Sequence, residues 1–404
     1  MIDGRALVMI VLAAVSAISF MTGTFAPTLR TPTHGFPVYY TSARLIVEGR
    51  WSSRVYDDGW YGDQVAIYFP SPIREIYGAN PPGAALLLLP LASLTATDAR
   101  VVWLIINLCL LVVAVMMLMS ALGVNRLALR AGFVALVFTY APLRENFRLG
   151  QAYVLLLLLL AMTLWLLKRD RSAWAGVPLG FTVVAKMSGV PVGLMLIAQR
   201  RWRSAIAVMI TGVAVFMLSL AVVGLESWTS WVSIALNHFG GLPSSGVTAF
   251  QTTPSFFQHL FVADVRWNPD PIWQQPWLAS ALSIGISLVA LAVTLWKGRR
   301  ADLDLALAAA TTLSVVLVPV AEEYHYTLLL LPLAVVIAQL ARTSMGVRDV
   351  IAFGVIVMLL AVSWNYKSDQ IAHGWAALLA YPRLYGGWLL WAWSIKRMSA
   401  HVDV

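Results

Sequence analysis

The chain has 404 residues, of which 60% are hydrophobic and only 12% are charged. A soluble domain carries about 25% charged residues, so this composition excludes an ordinary soluble protein and predicts an all-α polytopic membrane protein. The net charge of +9 does not indicate nucleic-acid binding, because the basic residues lie in short clusters between apolar runs. The single cysteine, Cys109, cannot form a disulfide within the chain or a zinc site by itself.

Apolar runs long enough to cross a bilayer recur along the chain, and together they predict about 10–13 membrane segments in a single domain, residues 1–404. The first run covers residues 6–25, and a cleaved signal peptide is its alternative interpretation; the weak basic region before it and the later spans favour a span. Residues 83–97 form either a re-entrant segment or a short span. Residues 173–198, broken by Lys186, form either two short helices or one long tilted helix. The other predicted spans are residues 101–122, 127–143, 149–167, 204–224, 276–296, 303–320, 326–341, 349–364 and 375–395.

Clusters of lysine and arginine in the short loops predict which side each loop faces. If all of these clusters lie inside, both termini are cytoplasmic, and the long loops 26–82 and 225–275 lie outside. Most of the acidic residues then lie on the outer face, where we expect the chemistry. The clusters are Arg126 and Arg130, Lys168 to Arg171, Arg200 to Arg203, Lys297 to Arg300, Arg342 and Arg348, and Lys396 and Arg397.

The first long loop is rich in carboxylates, arginines and tyrosines. The apolar residues from Phe36 to Val47 have the spacing of an amphipathic helix on the membrane surface, which Gly49 would end. A carboxylate-rich turn follows at residues 57–63. Next, the sequence Asn80-Pro81-Pro82 favours the start of a helix, because proline is tolerated in a first turn. A solvated loop with interfacial tyrosines is the alternative interpretation.

The order of these motifs resembles a known family. The chain contains G-F-x-x-Y-Y-x-x-A-R-L, then V-Y-D, then N-P-P-x-x-x-L-L-L-x-P-L, then R-L-G-Q-A-Y-V, A-K-M-S-G-V-P and R-R-W-R. This order resembles glycosyltransferase family 87, membrane enzymes of the GT-C fold that include mycobacterial polyprenyl-phosphate-mannose-dependent mannosyltransferases. The resemblance covers residues 6–340 and is most specific at residues 80–82, residues 149–151 and Lys186.

The resemblance implies transfer of a mannose-like hexose or a pentose from a polyprenyl-phosphate donor to a glycolipid or glycan hydroxyl on the outer face of a bacterial inner membrane. No metal or other cofactor is implied, and no nucleic-acid partner. Members of the family place an aspartate just after the first span as the candidate general base. Gly35, preceded by His34, occupies that place here. We therefore predict Asp58 or Asp57 as the base, with His34 as the reserve.

Cationic side chains at headgroup depth are the candidates for binding the donor phosphate. Lys186 lies in an apolar stretch, where a charge is costly and indicates function; snorkelling to the interface is the alternative. Arg144, Arg148 and Arg44 are the other candidates. For the first two of these arginines, lipid anchoring or a local ion pair with Glu145 is the alternative.

Polar side chains near the outer ends of the spans are the candidates for binding the acceptor or the sugar. Glu322 and His325 are three residues apart and can share one helix face, but too few ligands accompany them for a metal site. In the second loop, residues 240–246 are Gly- and Ser-rich and predict a flexible lid. Trp267, Trp273 and Trp277 could stack on sugars or form an interfacial belt. The candidates are Glu145, Gln151, Glu322, Glu323, His325, Gln251 and Asn80.

Two other functions compete with a transferase. A lipid or glycolipid transporter would use the broken segment 173–198 as its binding site, but the sequence has no inverted repeat and its acidic residues lie at the outer face. An inactive relative of the family would explain why Gly35 replaces the usual aspartate.

Overall fold

The computed structural model describes residues 3–30, 33–69, 73–78, 80–239, 246–342 and 346–399. Within these ranges the chain forms helices and no strand, with one isolated β-bridge between Asp264 and Asn268. The prediction of an all-α fold is therefore confirmed. The α-helices are α1 Gly4–Phe20, α2 Ala26–Arg30, α3 Phe36–Val47, α4 Asp58–Tyr68, α5 Ala96–Ala121, α6 Leu127–Thr139, α7 Ala141–Leu149, α8 Tyr153–Leu167, α9 Ser172–Lys186, α10 Val190–Ala198, α11 Trp202–Val223, α12 Leu225–Phe239, α13 Thr253–Phe261, α14 Pro276–Gly298, α15 Leu303–Val316, α16 Leu330–Arg342, α17 Val347–Ala361 and α18 Pro382–Ser399.

The long apolar helices make the chain a polytopic membrane protein. Among the described residues, 5 helices are long and apolar enough to cross a membrane, or 6 if α6 and α7, which are bent by 51° at their junction, count as one span. The larger number expected from the sequence remains a prediction, because several apolar helices are too short for this criterion. The 5 long helices are Gly4–Arg30, Ala96–Ala121, Trp202–Val223, Pro276–Gly298 and Glu323–Arg342. The first includes a π-helical turn at Met21–Phe25, and the last begins with a 3₁₀ helix at Glu323–Leu329.

The first long loop folds into a compact layer with its own apolar core. Helix α3 ends at Glu48 and Gly49, as expected, but it does not lie on a surface, because nearly all its residues from Phe36 to Leu45 are buried. Its aromatic side chains pack with Tyr61 and Tyr77. An apolar face with helical spacing is the same whether it meets lipid or protein, and here protein covers it.

The two ambiguous segments have definite structures. Residues 83–97 contain the short 3₁₀ helices Pro82–Leu86 and Leu89–Leu91, followed by the first residues of α5. Residues 173–198 form two short helices, α9 and α10, as one of the two alternatives predicted. The break follows Lys186, where Met187 has a left-handed backbone with φ of 57°.

Helix α9 packs directly against the backbone of α11. A Cβ atom at Gly176 would lie 2.2 Å from the carbonyl oxygen of Ser204, and one at Gly180 would lie 2.8 Å from that of Val208. Small residues at this spacing let helices approach closely where lipid provides no hydrophobic driving force. This contact fixes the position of α9 and of Lys186 at its C-terminal end.

The largest core surrounds α8, α15 and α16. At one end of α8, Lys168 contacts Asp304 at 2.7 Å, and Arg342 at the end of α16 contacts the same carboxylate at 3.4 Å. At the other end of α8, Tyr153 contacts His325, which precedes α16. The helices α8 and α16 therefore connect a charged triad at one end with a polar cluster at the other.

Candidate active site

Lys186 lies at the centre of this polar cluster. Its ammonium group donates a hydrogen bond to the side-chain oxygen of Asn80. The same nitrogen lies 5.0 Å from the ring centroid of Tyr39 and 5.8 Å from that of Tyr153. In the described parts of the chain, no carboxylate forms an ion pair with it. The carboxylate of Glu322 attracts Lys186 electrostatically without contacting it. A sequestered cation without a contacting counter-ion is costly, so the arrangement favours binding of an anion.

His325 is held in one orientation beside the lysine. The backbone N–H of Glu322 donates to Nδ1 of His325 at 3.1 Å. The imidazole ring lies 4.3 Å from the ring of Tyr153 and 4.5 Å from that of Tyr324. Because Nδ1 accepts a hydrogen bond, the proton of the neutral ring is on Nε2. That N–H is available to donate to a bound oxygen.

Gln151 joins the cluster from the turn between α7 and α8. The hydroxyl of Tyr39 donates to its side-chain oxygen at 2.7 Å. We call the connected group the lysine cluster; its members are Lys186, Asn80, Tyr39, Gln151, Tyr153, Tyr324, His325 and Glu322. The structure thus brings together Asn80, Gln151, Lys186, Glu322 and His325, which the sequence proposed separately.

Glu75 lies beside the lysine cluster, and the sequence analysis missed it. Its carboxylate accepts a hydrogen bond from the backbone N–H of Gly35 and lies 3.2 Å from Nδ1 of His34. Its side chain is only 13% exposed. Burial raises the pKa of Glu75; the Gly35 N–H and His34 oppose this rise, and the charge of Glu322 adds to it.

Gly35 could not be an aspartate in this backbone. Its φ is +96°, and a Cβ atom would lie 2.6 Å from both Nε2 of Gln151 and the carbonyl oxygen of Leu149. The carboxylate that lies against the backbone of Gly35 is that of Glu75. The one sequence signal that could have identified Glu75 is its location just before Asn80. Its contact with Gly35 spans 40 residues of chain, so no local motif reveals it.

A cavity of about 320 Å³ lies near this region, and the residues that line it include no member of the lysine cluster. Thr33, next to His34, and Glu323, next to Glu322, form parts of its wall, together with Arg144, Glu145 and Arg148. The guanidinium of Arg148 binds Glu145 through two hydrogen bonds of 2.7 Å each. The local ion pair proposed as the alternative for Arg148 is therefore present. Arg144 donates to the carbonyl oxygen of Phe138 at 3.0 Å.

The carboxylates predicted as the general base lie elsewhere. Asp57 caps α4 by accepting a hydrogen bond from the backbone N–H of Trp60 at 3.1 Å. Asp58 begins the same helix, and both side chains are exposed. Burial of part of the group, reinforced by the charge of Asp57, raises the pKa of Asp58. Neither of them contacts the lysine cluster among the residues that the structure describes, and their role as the base stays a prediction.

Three other candidates also have structural partners. Arg44 pairs with Glu48 at 2.6 Å and donates to the carbonyl oxygen of Ala92. Glu323 pairs with Arg383, which is fully buried. Gln251 is fully buried, and its amide binds the backbone at Thr248, Ala380 and Arg383. Each of these polar groups already has a protein partner, and its role in binding sugar or phosphate stays a prediction.

The second long loop contributes helices and no contact with the lysine cluster among its described residues. Of the lid predicted at residues 240–246, residues 240–245 lie outside the described residues. Trp267, Trp273 and Trp277 are all exposed. The described residues include no group of three or more His, Cys, Asp or Glu side chains that could hold a metal ion.

Comparison of the sequence with known protein families gives one match. Residues 79–320 match glycosyltransferase family 87. The match begins next to Asn80 and includes Gln151 and Lys186, whereas His34 and Glu75 lie before it and Glu322 and His325 follow it. No significant match was found among curated proteins or among solved structures. Because the matched segment covers more than half of the chain, this protein belongs to glycosyltransferase family 87 and is a membrane-embedded glycosyltransferase.

Proposed function

We propose that the protein transfers a mannose-like hexose or a pentose from a polyprenyl-phosphate donor to the hydroxyl of a glycolipid or glycan. The observation that carries this proposal is the ammonium of Lys186, which has an amide and two aromatic rings around it but no carboxylate partner in the described structure. A phosphate placed there would supply the missing negative charge.

We propose a role in donor binding for individual members of the lysine cluster. Lys186 holds the phosphate, and Asn80 orients the ammonium. The Nε2–H of His325 donates to a phosphate oxygen as negative charge builds up on the departing group. Tyr39 and Tyr153 surround the lysine and exclude water, which strengthens these interactions in the transition state.

The acceptor occupies the cavity of about 320 Å³ beside the cluster. Glu145 and Arg148 on its wall form an ion pair with remaining hydrogen-bonding capacity toward sugar hydroxyls. A carboxylate near the acceptor takes the proton of its hydroxyl.

The orientation in the membrane follows from the lysine and arginine clusters. We propose cytoplasmic termini, with residues 26–82 and 225–275 facing outward in a bacterial inner membrane. Reporter fusions at Gly49 and Gly298 test this topology. We expect them to report opposite sides, and finding both on one side would contradict it.

The direct test uses purified protein in lipid nanodiscs. Radiolabelled polyprenyl-phosphate mannose, or a matching pentose donor, is incubated with a membrane glycolipid fraction as the acceptor. We expect labelled glycolipid and release of polyprenyl phosphate. A protein that instead moves intact donor between leaflets of vesicles, without breaking its sugar–phosphate bond, would support the transporter alternative and contradict the proposal.

Competition tests the phosphate site itself. We expect polyprenyl phosphate to inhibit transfer and polyprenol, which has the same tail without the phosphate, to inhibit it far less. Equal inhibition by both would show that the tail, and not Lys186, accounts for donor binding.

A further inference from the structure

We propose that Glu75 is the general base of the transfer reaction and that His34 and the backbone N–H of Gly35 position it. This inference rests on the proposed function, because it concerns the proton of the acceptor hydroxyl. It places the base in residues 73–78, on a segment that precedes Asn80 and lies apart from the exposed turn of α4.

The two oxygens of Glu75 have different surroundings. Oε1 accepts the hydrogen bond of Gly35 and lies 3.2 Å from Nδ1 of His34. Oε2 has no hydrogen-bond partner among the residues that the structure describes. One oxygen is therefore held by the protein, and the other is free to accept the proton of a substrate hydroxyl.

The backbone of Gly35 accounts for this arrangement. Its positive φ turns the N–H toward Glu75, and the space that a side chain would need is occupied by Gln151 and Leu149. Gln151 belongs to the lysine cluster through its hydrogen bond with Tyr39. Gly35 therefore lies between Glu75, which accepts its N–H, and Gln151, which belongs to the cluster that contains the proposed phosphate site.

The other carboxylates in the region are less suitable as bases. Glu145 is bound to Arg148, and Glu323 is bound to Arg383, so each serves as a counter-ion. Glu322 is the nearest rival, because one of its oxygens accepts a hydrogen bond from Tyr324 at 3.3 Å in the way that Oε1 of Glu75 accepts one from Gly35. Its backbone N–H also fixes His325 at the proposed phosphate site, so Glu322 is closer to the leaving group than to the incoming hydroxyl.

In the proposed step one bond forms, one bond breaks and one proton moves. The acceptor oxygen forms a bond to the anomeric carbon of the sugar, and its proton passes to Oε2 of Glu75. The bond between the anomeric carbon and the phosphate oxygen breaks, and its electron pair leaves with polyprenyl phosphate. The protonated Glu75 then releases its proton to solvent.

The test compares Glu75→Gln, Glu75→Asp and Glu322→Gln with wild-type protein at matched protein levels. General-base assistance typically contributes about 10²–10⁴-fold, so we expect at least a hundredfold lower turnover in Glu75→Gln, with donor affinity changed only a few-fold. Glu75→Asp keeps the carboxylate and should recover part of the rate. Asp63→Asn, which removes an exposed carboxylate on α4 in the same layer, is the matched control and should retain normal turnover.

Several results would overturn this assignment. Normal turnover in Glu75→Gln would exclude Glu75 as the base, and a hundredfold loss confined to Glu322→Gln would assign the base to Glu322. Equal losses in Glu75→Gln and Glu75→Asp, together with weaker donor binding, would indicate a structural role. Absence of transfer by wild-type protein would instead refute the proposed function, and this inference with it.

The pH profile provides a readout that a structural role would not change. Transfer requires ionised Glu75, so the rate should fall as the pH drops below the pKa of this group. The charged and titratable groups facing Glu75 are His34, Glu322, Tyr39, Tyr61 and Tyr324. Because His34 lowers the pKa of Glu75, we expect His34→Gln to move the acid limb of the profile to higher pH. An unchanged acid limb would contradict the proposed role of His34.

Discussion

Lys186 and Asp304 are both sequestered charges, and they lie near opposite ends of α8. Asp304 is 2% exposed and has two cationic partners, Lys168 and Arg342, on neighbouring elements. Lys186 has a neutral amide and aromatic rings around it, and none of the described carboxylates pairs with it. Asp304 therefore has contacting charges of opposite sign without any ligand. Lys186 has no contacting carboxylate among the described residues.

This difference separates a structural charge from one that is prepared for a ligand. A buried charge whose partners are all protein groups connects helices, and its loss lowers stability. A sequestered charge without a protein counter-ion adds a cost to the empty protein, which a bound anion can offset. Replacing the two residues should therefore have opposite consequences for activity and stability.

The largest effect is expected for Lys186→Met, which keeps the length of the side chain and removes its charge. We expect turnover to fall at least about a hundredfold, because charge-assisted contacts to a developing anion contribute this much in other active sites. Lys396→Met, which removes an exposed lysine near the end of α18, is the control. Normal turnover in Lys186→Met would make snorkelling the explanation for this lysine.

His325→Phe should have the next largest effect. The variant retains an aromatic ring between Tyr153 and Tyr324 but loses the Nε2–H donor. A hydrogen bond to a charged group contributes about 1.5–3 kcal/mol, so turnover should fall about 10- to 100-fold. An effect as small as that of a surface substitution, measured at saturating donor, would show that His325 serves only in packing.

Asp304→Asn should change stability and leave the chemistry intact. Removing one member of a buried ion pair costs about 3–5 kcal/mol, but Lys168 and Arg342 are partly exposed and can be solvated by water. We expect about 1–2 kcal/mol of destabilisation, measured as a lower melting temperature in detergent, with normal turnover per folded molecule. A hundredfold loss of turnover in fully folded protein would mean that the two regions are not independent.

The smallest effects are expected for Asp57→Asn and Asp58→Asn. Asparagine is as good a helix cap as aspartate, and neither side chain contacts the lysine cluster in the described structure. Turnover of both variants should remain within a few-fold of wild type. A large loss in either would move the base back to the start of α4.

The sequence predicted the residues whose signal is local. Lys186 was found because a charge in an apolar run is costly wherever the helix lies, and Asn80 and Gln151 were found from short motifs. The helical character of residues 36–47 was also correct, because a spacing of apolar residues reports a helix. It does not report what covers that helix, and so the burial of α3 was missed.

The proposal of Glu75 as the general base illustrates the limit of sequence reasoning. Asp57 and Asp58 were chosen because carboxylates are dense there, but density along the chain does not determine proximity in space. Glu75 reaches the site through the backbone of Gly35, 40 residues earlier, and no residue type encodes that contact. The pairing of Glu323 with Arg383 joins residues 60 positions apart and was hidden for the same reason.

The uncompensated lysine also has a consequence for how this protein must be handled and how it can evolve. Any anion that binds only the folded state raises the free energy of unfolding, and well above its Kd this rise grows with the logarithm of the anion concentration. If Lys186 binds a lipid phosphate as proposed, extraction that depletes such lipids lowers the stability of the protein. We expect substitutions that remove the charge at position 186 to raise the free energy of unfolding and to remove the proposed phosphate site. Such a trade-off between stability and activity is common where function requires a destabilising group. Selection for glycosyl transfer should therefore retain Lys186, which selection for stability alone would remove.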